Sequence, residues 1–460
     1  MERRRVQSLD RSKGFRATQP RGGQNGLQEN FQLESSLNSW LRIGLVAQNK
    51  QLVFTNLFDH FKVENLREAF HAIDGSKAIG TDNISKSEYA CDLDKNLKDL
   101  EQRLQAGTYR PQPKKEVLIP KSNGKTRPIA ISCFEDKIVE WVLGKLLSLS
   151  FEPLFISNSF GFRPRRSPHD AIKAAFHILK DDQRPFVVEI DMENFFNTVS
   201  HKKLMKVVQG RIKDRRMSGL IARFLKTKIS RKDSLSTSTI GTPQGSIMSP
   251  ILANIYLNHV MDQWFIKNHA SKTAQMVRYA DDVIFMFSKH EDAMRFKEEL
   301  EKRLNEYQLI LNVEKTKVTD FRKESDQIFS FLGFTFYWGK KLAKKRSSLK
   351  LKTEKKQFFK KVDEFKQWLK SSRNTLTSKE LLQIIASKLR GHYNYYGVMT
   401  NQQWLGYFYN QVLHLIYKWF NRRSQRKSLN WDKVKRLQEK HLPKPPTMKK
   451  LIPLEKTYVW

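Results

Sequence analysis

The sequence predicts an α+β fold in which helices alternate with short strands of a small antiparallel sheet. Three observations carry this. Apolar runs such as FVVEI (186–190) and VRYADDVIFMF (277–287) have the length and composition of strands. Between such runs, apolar residues recur every three or four positions, the period of a helix with one buried face. Turn-forming pairs, Asn123-Gly124 among them, separate extended segments.

Composition sets the outer limits. A chain of 460 residues can bury a sizeable core. Its 84 Lys plus Arg against 47 Asp plus Glu leave a net charge of +37, a surplus that points to a polyanion partner, most often nucleic acid. Two cysteines, Cys91 and Cys133, exclude a disulfide framework and a Cys-rich zinc site, and fit a reducing, cytoplasmic setting. No run of 18 apolar residues occurs, so no membrane span is expected. The opening MERRRVQSLD is basic without an apolar core, unlike a secretory signal, and reads as a flexible basic arm.

The elements follow in order. Val63, Leu66, Phe70 and Ile73 mark a helix, GSKAIGTDN (75–83) a loop, and Leu93 to Leu104 a second helix. EVLIP (116–120) and PIAIS (128–132) read as strands joined by the basic turn KSNGKTRP. Ser167 as N-cap and Pro168 in the first turn open a helix whose stripe is Ala171, Ile172, Ala175, Phe176 and Leu179. FVVEI then delivers Asp191, GTPQGS (241–246) is a loop, and Ser249-Pro250 starts a helix to about Ile266. VRYADDVIFMF is a hairpin with Asp281 and Asp282 at its tip, and FSFLGFTF (329–336) a strand pair around Gly333. From 340 to 373 there are 14 Lys plus Arg against three acids, with helical spacing continuing to Phe420. From 421 to 460 there are 12 against three, with Pro443, Pro445 and Pro446 interrupting helix.

Two adjacent aspartates inside an apolar run need a counter-charge, because buried carboxylates are costly unless paired or metal-bound. If the strand ending at Asp191 neighbours the hairpin, three carboxylates converge and repel one another. Two Mg²⁺ ions relieve that repulsion, and an all-oxygen donor set suits Mg²⁺. Taken alone, a DD pair is an ordinary exposed turn; the neighbouring motifs separate the two readings.

YADD (279–282), DMENFF (191–196) and TPQGS (242–246) resemble the catalytic core of reverse transcriptases. IPKSNGKTRPI, SFGFRPRRSPHDAI, GTPQGSIMSPILANIYL, RYADDVIF and FLGF, in that order over roughly residues 50 to 340, resemble the group II intron reverse transcriptase/maturase family, and LRGHYNYYG (389–397) resembles its thumb region. The resemblance implies a right-hand polymerase. Its division would be a basic arm (1–50), an N-terminal extension and fingers (51–185), a palm interleaved with the fingers (186–340), a helical thumb or maturase domain (341–420) and a basic tail (421–460). The palm is expected to be a sheet with helices on one face.

The same resemblance implies RNA-templated DNA synthesis from a DNA primer and dNTPs, with two Mg²⁺ ions, or Mn²⁺ in their place. Asp191 and Asp281 would be the principal metal ligands, with Asp282 in support. Lys121 and Arg127 would meet the triphosphate, Phe196 would be the steric gate against a ribose 2′-hydroxyl, and Gln244 would touch nucleotide or template. Arg163 and Arg165 would meet template phosphate, with a structural ion pair as the rival reading for Arg163. Arg422, Arg423, Arg426 and Lys427 would bind RNA phosphates. The aromatics Tyr395, Tyr396, Trp404, Tyr407, Tyr409 and Trp419 read either as core or as stacking surfaces. With no cysteine beyond Cys133, a zinc-linked endonuclease is not expected. A structured intron RNA is the expected partner for a splicing role. The alternative is a host-adopted relative working in antiphage defence on a noncoding RNA template, which gene neighbourhood would distinguish.

Overall fold

A computed structural model of the chain describes residues 39–120, 126–231, 234–236, 240–242, 245–271, 273–340, 347–423 and 429–454. Eleven strands occur in these segments: β1 (Lys114–Pro120), β2 (Thr126–Ile131), β3 (Phe186–Ile190), β4 (Ile229–Arg231), β5 (Ser234–Ser236), β6 (Ala274–Tyr279), β7 (Asp282–Phe287), β8 (Lys317–Asp320), β9 (Phe329–Phe331), β10 (Phe334–Lys340) and β11 (Ser347–Thr353). They form three sheets, ordered β2-β1-β4-β5, β6-β7-β3-β8 and β11-β10-β9. The second sheet lies within the segment expected as palm (186–340), the first combines strands from the expected fingers and palm segments, and the third spans the expected division between palm and thumb.

Local chemistry places the elements where the sequence suggests. Ser167 caps the helix Pro168–Leu179 through a reciprocal capping box with Asp170. The Ser249–Leu257 helix continues through a π-helical turn at Asn258–Asp262 into Gln263–Asn268. β6 and β7 pair antiparallel from Ala274↔Phe287 to Tyr279↔Asp282, so the link is the two-residue turn Ala280-Asp281. Ala280 sits at φ 59°, a left-handed conformation that a Cβ disfavours.

The palm differs from expectation in being covered on both faces. Val188, Ile190, Val283 and Phe285 enter one core with Phe265 and Phe296, while Val187, Ile284 and Met286 enter another with Phe160, Phe176 and thumb residues such as Leu389. Phe285 and Phe296 sit 4.5 Å apart between centroids. Fully burying each such side chain contributes about 1.5–3 kcal/mol. Burial on both sides is why FVVEI and VIFMF are continuous apolar runs rather than alternating ones.

Three boundaries shift. The helix Ser39–Val46 buries Trp40 and Ile43, so the N-terminal arm does not extend to residue 50. β10 pairs with β11 along Phe334–Lys340, so a division at 340/341 would cut through one sheet. Within the expected basic tail, the described residues 429–454 are folded: the helix Trp431–His441 packs on Gln402–Phe420, Leu442, Leu451 and Leu454 are buried, and the Ile452 N–H donates to the Gly397 carbonyl at 2.8 Å. Apolar residues spaced along a highly charged segment suffice to dock it.

Candidate active site

Strand pairing brings the aspartates to one edge. β3 and β7 run antiparallel with Ile190 opposite Val283, so Asp191, just past β3, and Asp281 and Asp282, at the hairpin tip, lie at the same end of the sheet. Asp191 and Asp281 line a cavity of about 880 Å³ together with Arg127, Phe196, Gly245, Ser246 and Lys315. Asp282 opens on the other side, into a cavity of about 720 Å³ between the hairpin and the helix Ser378–Tyr396, which holds Lys388, His392 and Tyr395.

The electrostatics follow from crowding. Burial pushes the Asp281 carboxyl up, and Asp191 adds to the rise, while Arg127 and Arg278 oppose it. The Asp282 carboxyl is pushed up to about 6, first by lost hydration and then by Asp281 and Asp191. Asp191 is instead held by Lys315, whose Nζ donates at 2.9 Å. The three carboxylates share a sheet edge without converging on one point: among the described residues no three His, Cys, Asp or Glu side chains form a metal-sized group. Like charges separate when a lysine offers one of them a partner. The donor set is all oxygen, the ligand type hard divalent cations prefer.

The hairpin is braced from beneath. Arg278, fully buried, donates from Nε to both oxygens of buried Asp262 at 2.8 and 3.0 Å, and from Nη1 to Asn254 Oδ1 and the Ala280 carbonyl, both at 2.9 Å. Gly161 closes on the turn; a Cβ there would lie 2.3 Å from the Ala280 nitrogen. Neither brace carries a sequence signal beyond the motifs that contain Arg278 and Gly161. Lys315 carries none, lying 124 residues from Asp191.

The other expected residues divide. Arg127 is exposed on β2 and faces the cavity. Phe195 is buried in the core at 2% exposure and Phe196 is half-buried against the same core, and both line the cavity. Arg165 is exposed. Arg163 does not reach outward: its guanidinium pairs with Glu152 at 2.8 Å and donates to the Ile156 and Ser159 carbonyls, both at 2.6 Å. A guanidinium whose donors are satisfied internally at 7% exposure serves the fold, which corrects the template-binding reading. Arg423, half-buried, donates to the Leu376 carbonyl at 2.9 Å and to Ser378, tying the end of one thumb helix to the start of another. Arg422 is exposed, stacked 5.1 Å from the Trp419 ring. Tyr396, Tyr409 and Trp419 are core, Tyr395 and Trp404 are half-buried, and Tyr407 is exposed. Lys121, Gln244, Arg426 and Lys427 lie outside the described residues.

Comparison with known proteins agrees with this arrangement. The family model described as reverse transcriptase (RNA-dependent DNA polymerase) matches residues 119–336. The group II intron-encoded protein LtrA of Lactococcus lactis subsp. cremoris is 28% identical over 446 residues, 78% of this chain and 73% of LtrA. Protein YkfC of Escherichia coli (strain K12) is 35% identical over 208 residues, 45% of this chain and 54% of YkfC. Among solved structures, telomerase from Candida albicans superimposes with a TM-score of 0.42 at 15% identity, over 72% of this chain and 63% of that one, too loosely to add to the assignment. Over residues 119–336 the chain is thus similar to reverse transcriptases, and the relatives named here include a group II intron-encoded protein, which supports the enzyme class RNA-directed DNA polymerase.

Proposed function

We propose that the chain copies RNA into DNA at the cavity shared by Asp191 and Asp281. The observation that carries this reading is the company the two carboxylates keep: one cavity has acids on the palm side, Arg127 on the fingers side and an aromatic floor at Phe196. Asp191 and Asp281, supported by Asp282, are the residues that would hold two divalent ions. Bound Mg²⁺, or Mn²⁺ in its place, supplies activation of a primer 3′-hydroxyl and neutralises charge on departing pyrophosphate. Arg127 draws the triphosphate of the incoming dNTP into the cavity and offsets the charge that builds on it during transfer. Phe196, lining the cavity, is the steric gate against a ribose 2′-oxygen, so deoxynucleotides are accepted and ribonucleotides excluded. Lys315 holds Asp191 until a cation competes for it.

A second role rests on the charge. A net +37, with likeness to an intron-encoded protein, supports binding of a structured intron RNA as a splicing maturase. Exposed Arg165 and Arg422 are its phosphate contacts among the described residues.

The test is primer extension with an annealed RNA template and DNA primer, dNTPs and Mg²⁺. Extension is expected from the wild type and abolished in Asp281→Ala. Undiminished extension by that variant overturns the assignment of the site. Where an intron RNA flanks the reading frame, its splicing, assayed with the same Asp281→Ala protein, is expected to survive.

A further inference from the structure

A buried carboxylate outside the aspartate cluster touches the wall of the cavity from behind. Glu140, in the helix Phe134–Phe151, is fully buried, and Lys114 at the start of β1 is 1% exposed. Glu140 Oε1 accepts from Lys114 Nζ at 2.6 Å and from Ser132 Oγ, just past β2, at 2.9 Å. Its other oxygen, Oε2, accepts the backbone N–H of Ile247 at 2.9 Å. The ion pair is therefore complete on one oxygen, and the second is committed to a loop.

That loop is part of the site. Gly245 and Ser246, immediately before Ile247, line the cavity with Asp191, Asp281 and Arg127. Gly245 has φ 108° and lies so close to β2 that a Cβ would fall 2.7 Å from Ile129 Cγ2 and 2.8 Å from the Ala130 carbonyl oxygen. Ile129 also lines the cavity, two residues after Arg127 on the same strand. One carboxylate thus joins both strands of the fingers hairpin and the glycine loop. Hydrogen bonds to a buried charge are among the stronger ones, and a group fixed before binding need not be ordered at binding.

We propose that Glu140 is a positioning residue for the incoming nucleotide, holding the Gly245–Met248 loop against β2 so that Gly245 and Arg127 form one preformed wall. The proposal rests on the polymerase reading of the cavity. Glu140 acts through the loop and touches no substrate.

Two paired variants isolate the loop contact. Lys114→Met with Glu140→Gln removes the charges but keeps an amide oxygen that can accept from Ile247. Lys114→Met with Glu140→Met removes the acceptor as well. Steady-state primer extension on RNA, with dNTP varied, is expected to give a KM within about threefold of wild type for the Gln pair and about tenfold higher for the Met pair, with kcat changed less. Equal KM values in the two, at matched melting temperatures, overturn the proposal and leave Glu140 a structural residue. Wild-type protein that fails to extend strikes the polymerase reading instead. Should the variants not fold, hydrogen exchange on the wild type decides: slow exchange at the Ile247 amide is expected, and exchange as fast as at open-loop amides overturns the proposal.

Discussion

Arg278→Met is expected to be among the most damaging single substitutions outside the cavity. Asp262 is fully buried, and its charge is met by Arg278 through a bidentate contact in which Nη2 lies 2.5 Å from Oδ2. Removing one partner of a buried pair strands the other and costs about 3–5 kcal/mol. At about 2–4 °C per kcal/mol for a sizeable domain, the melting temperature falls by about 6–20 °C. Burial pushes the Asp262 carboxyl up and Arg278 holds it back. In the variant that restraint is gone, so the folded state takes up a proton the unfolded state does not hold at neutral pH. Stability is then retained below the ordinary carboxylate range and lost as pH rises, making the deficit smaller near about pH 5 than near about pH 8. Replacing both partners, Arg278→Met with Asp262→Leu, is expected to restore most of the melting temperature, because a buried pair exchanged for apolar side chains is often neutral. Primer extension is expected to stay low even so, since the Ala280 carbonyl has lost its donor and the left-handed turn its brace. The assays are thermal melts at the two pH values and extension rates for three proteins. An Arg278→Met melt within about 2 °C of wild type would refute the reasoning, by showing that water or another cation meets the Asp262 charge.

Three further outcomes follow from the geometry. Phe196→Val is expected to raise ribonucleotide incorporation relative to deoxynucleotide by about tenfold in competitive extension assays; unchanged discrimination in an active variant moves the gate elsewhere. Gly161→Ala, whose Cβ would meet the Ala280 backbone, is expected to abolish extension, while Gly210→Ala, with nothing within 4 Å, leaves it intact. Asp136, buried and pushed up to about 7 despite donation from the Tyr109 hydroxyl and the Gln112 amide, binds a proton in the folded state at pH values where the unfolded chain has lost it. Wild-type melting temperature is therefore expected to decline between about pH 4 and pH 7, and Asp136→Asn to flatten that decline; parallel pH profiles would count against it.

By itself the sequence determined the elements whose causes are local. The Ser167 cap, the β1–β2 hairpin, the FVVEI strand and the tip position of Asp281 and Asp282 follow from capping chemistry, turn residues and periodicity, which act over a few residues. The catalytic motifs were legible for the same reason, each being a short run with its own spacing. What only the tertiary structure decided were the partners. Arg163 and Arg165 are two residues apart and chemically alike, yet one is turned into the fold and the other is exposed, because Glu152 and the Ile156 and Ser159 carbonyls lie beneath the first. Lys315 meets Asp191, Glu140 meets the Ile247 amide 107 residues away, and a charged C-terminal segment docks on the thumb, all across distances the local pattern does not span. A charge reads the same in sequence whether it ends on a surface or inside an ion pair. Which of the two it becomes depends on which groups packing brings within hydrogen-bond reach, since an unpaired charge cannot stay buried.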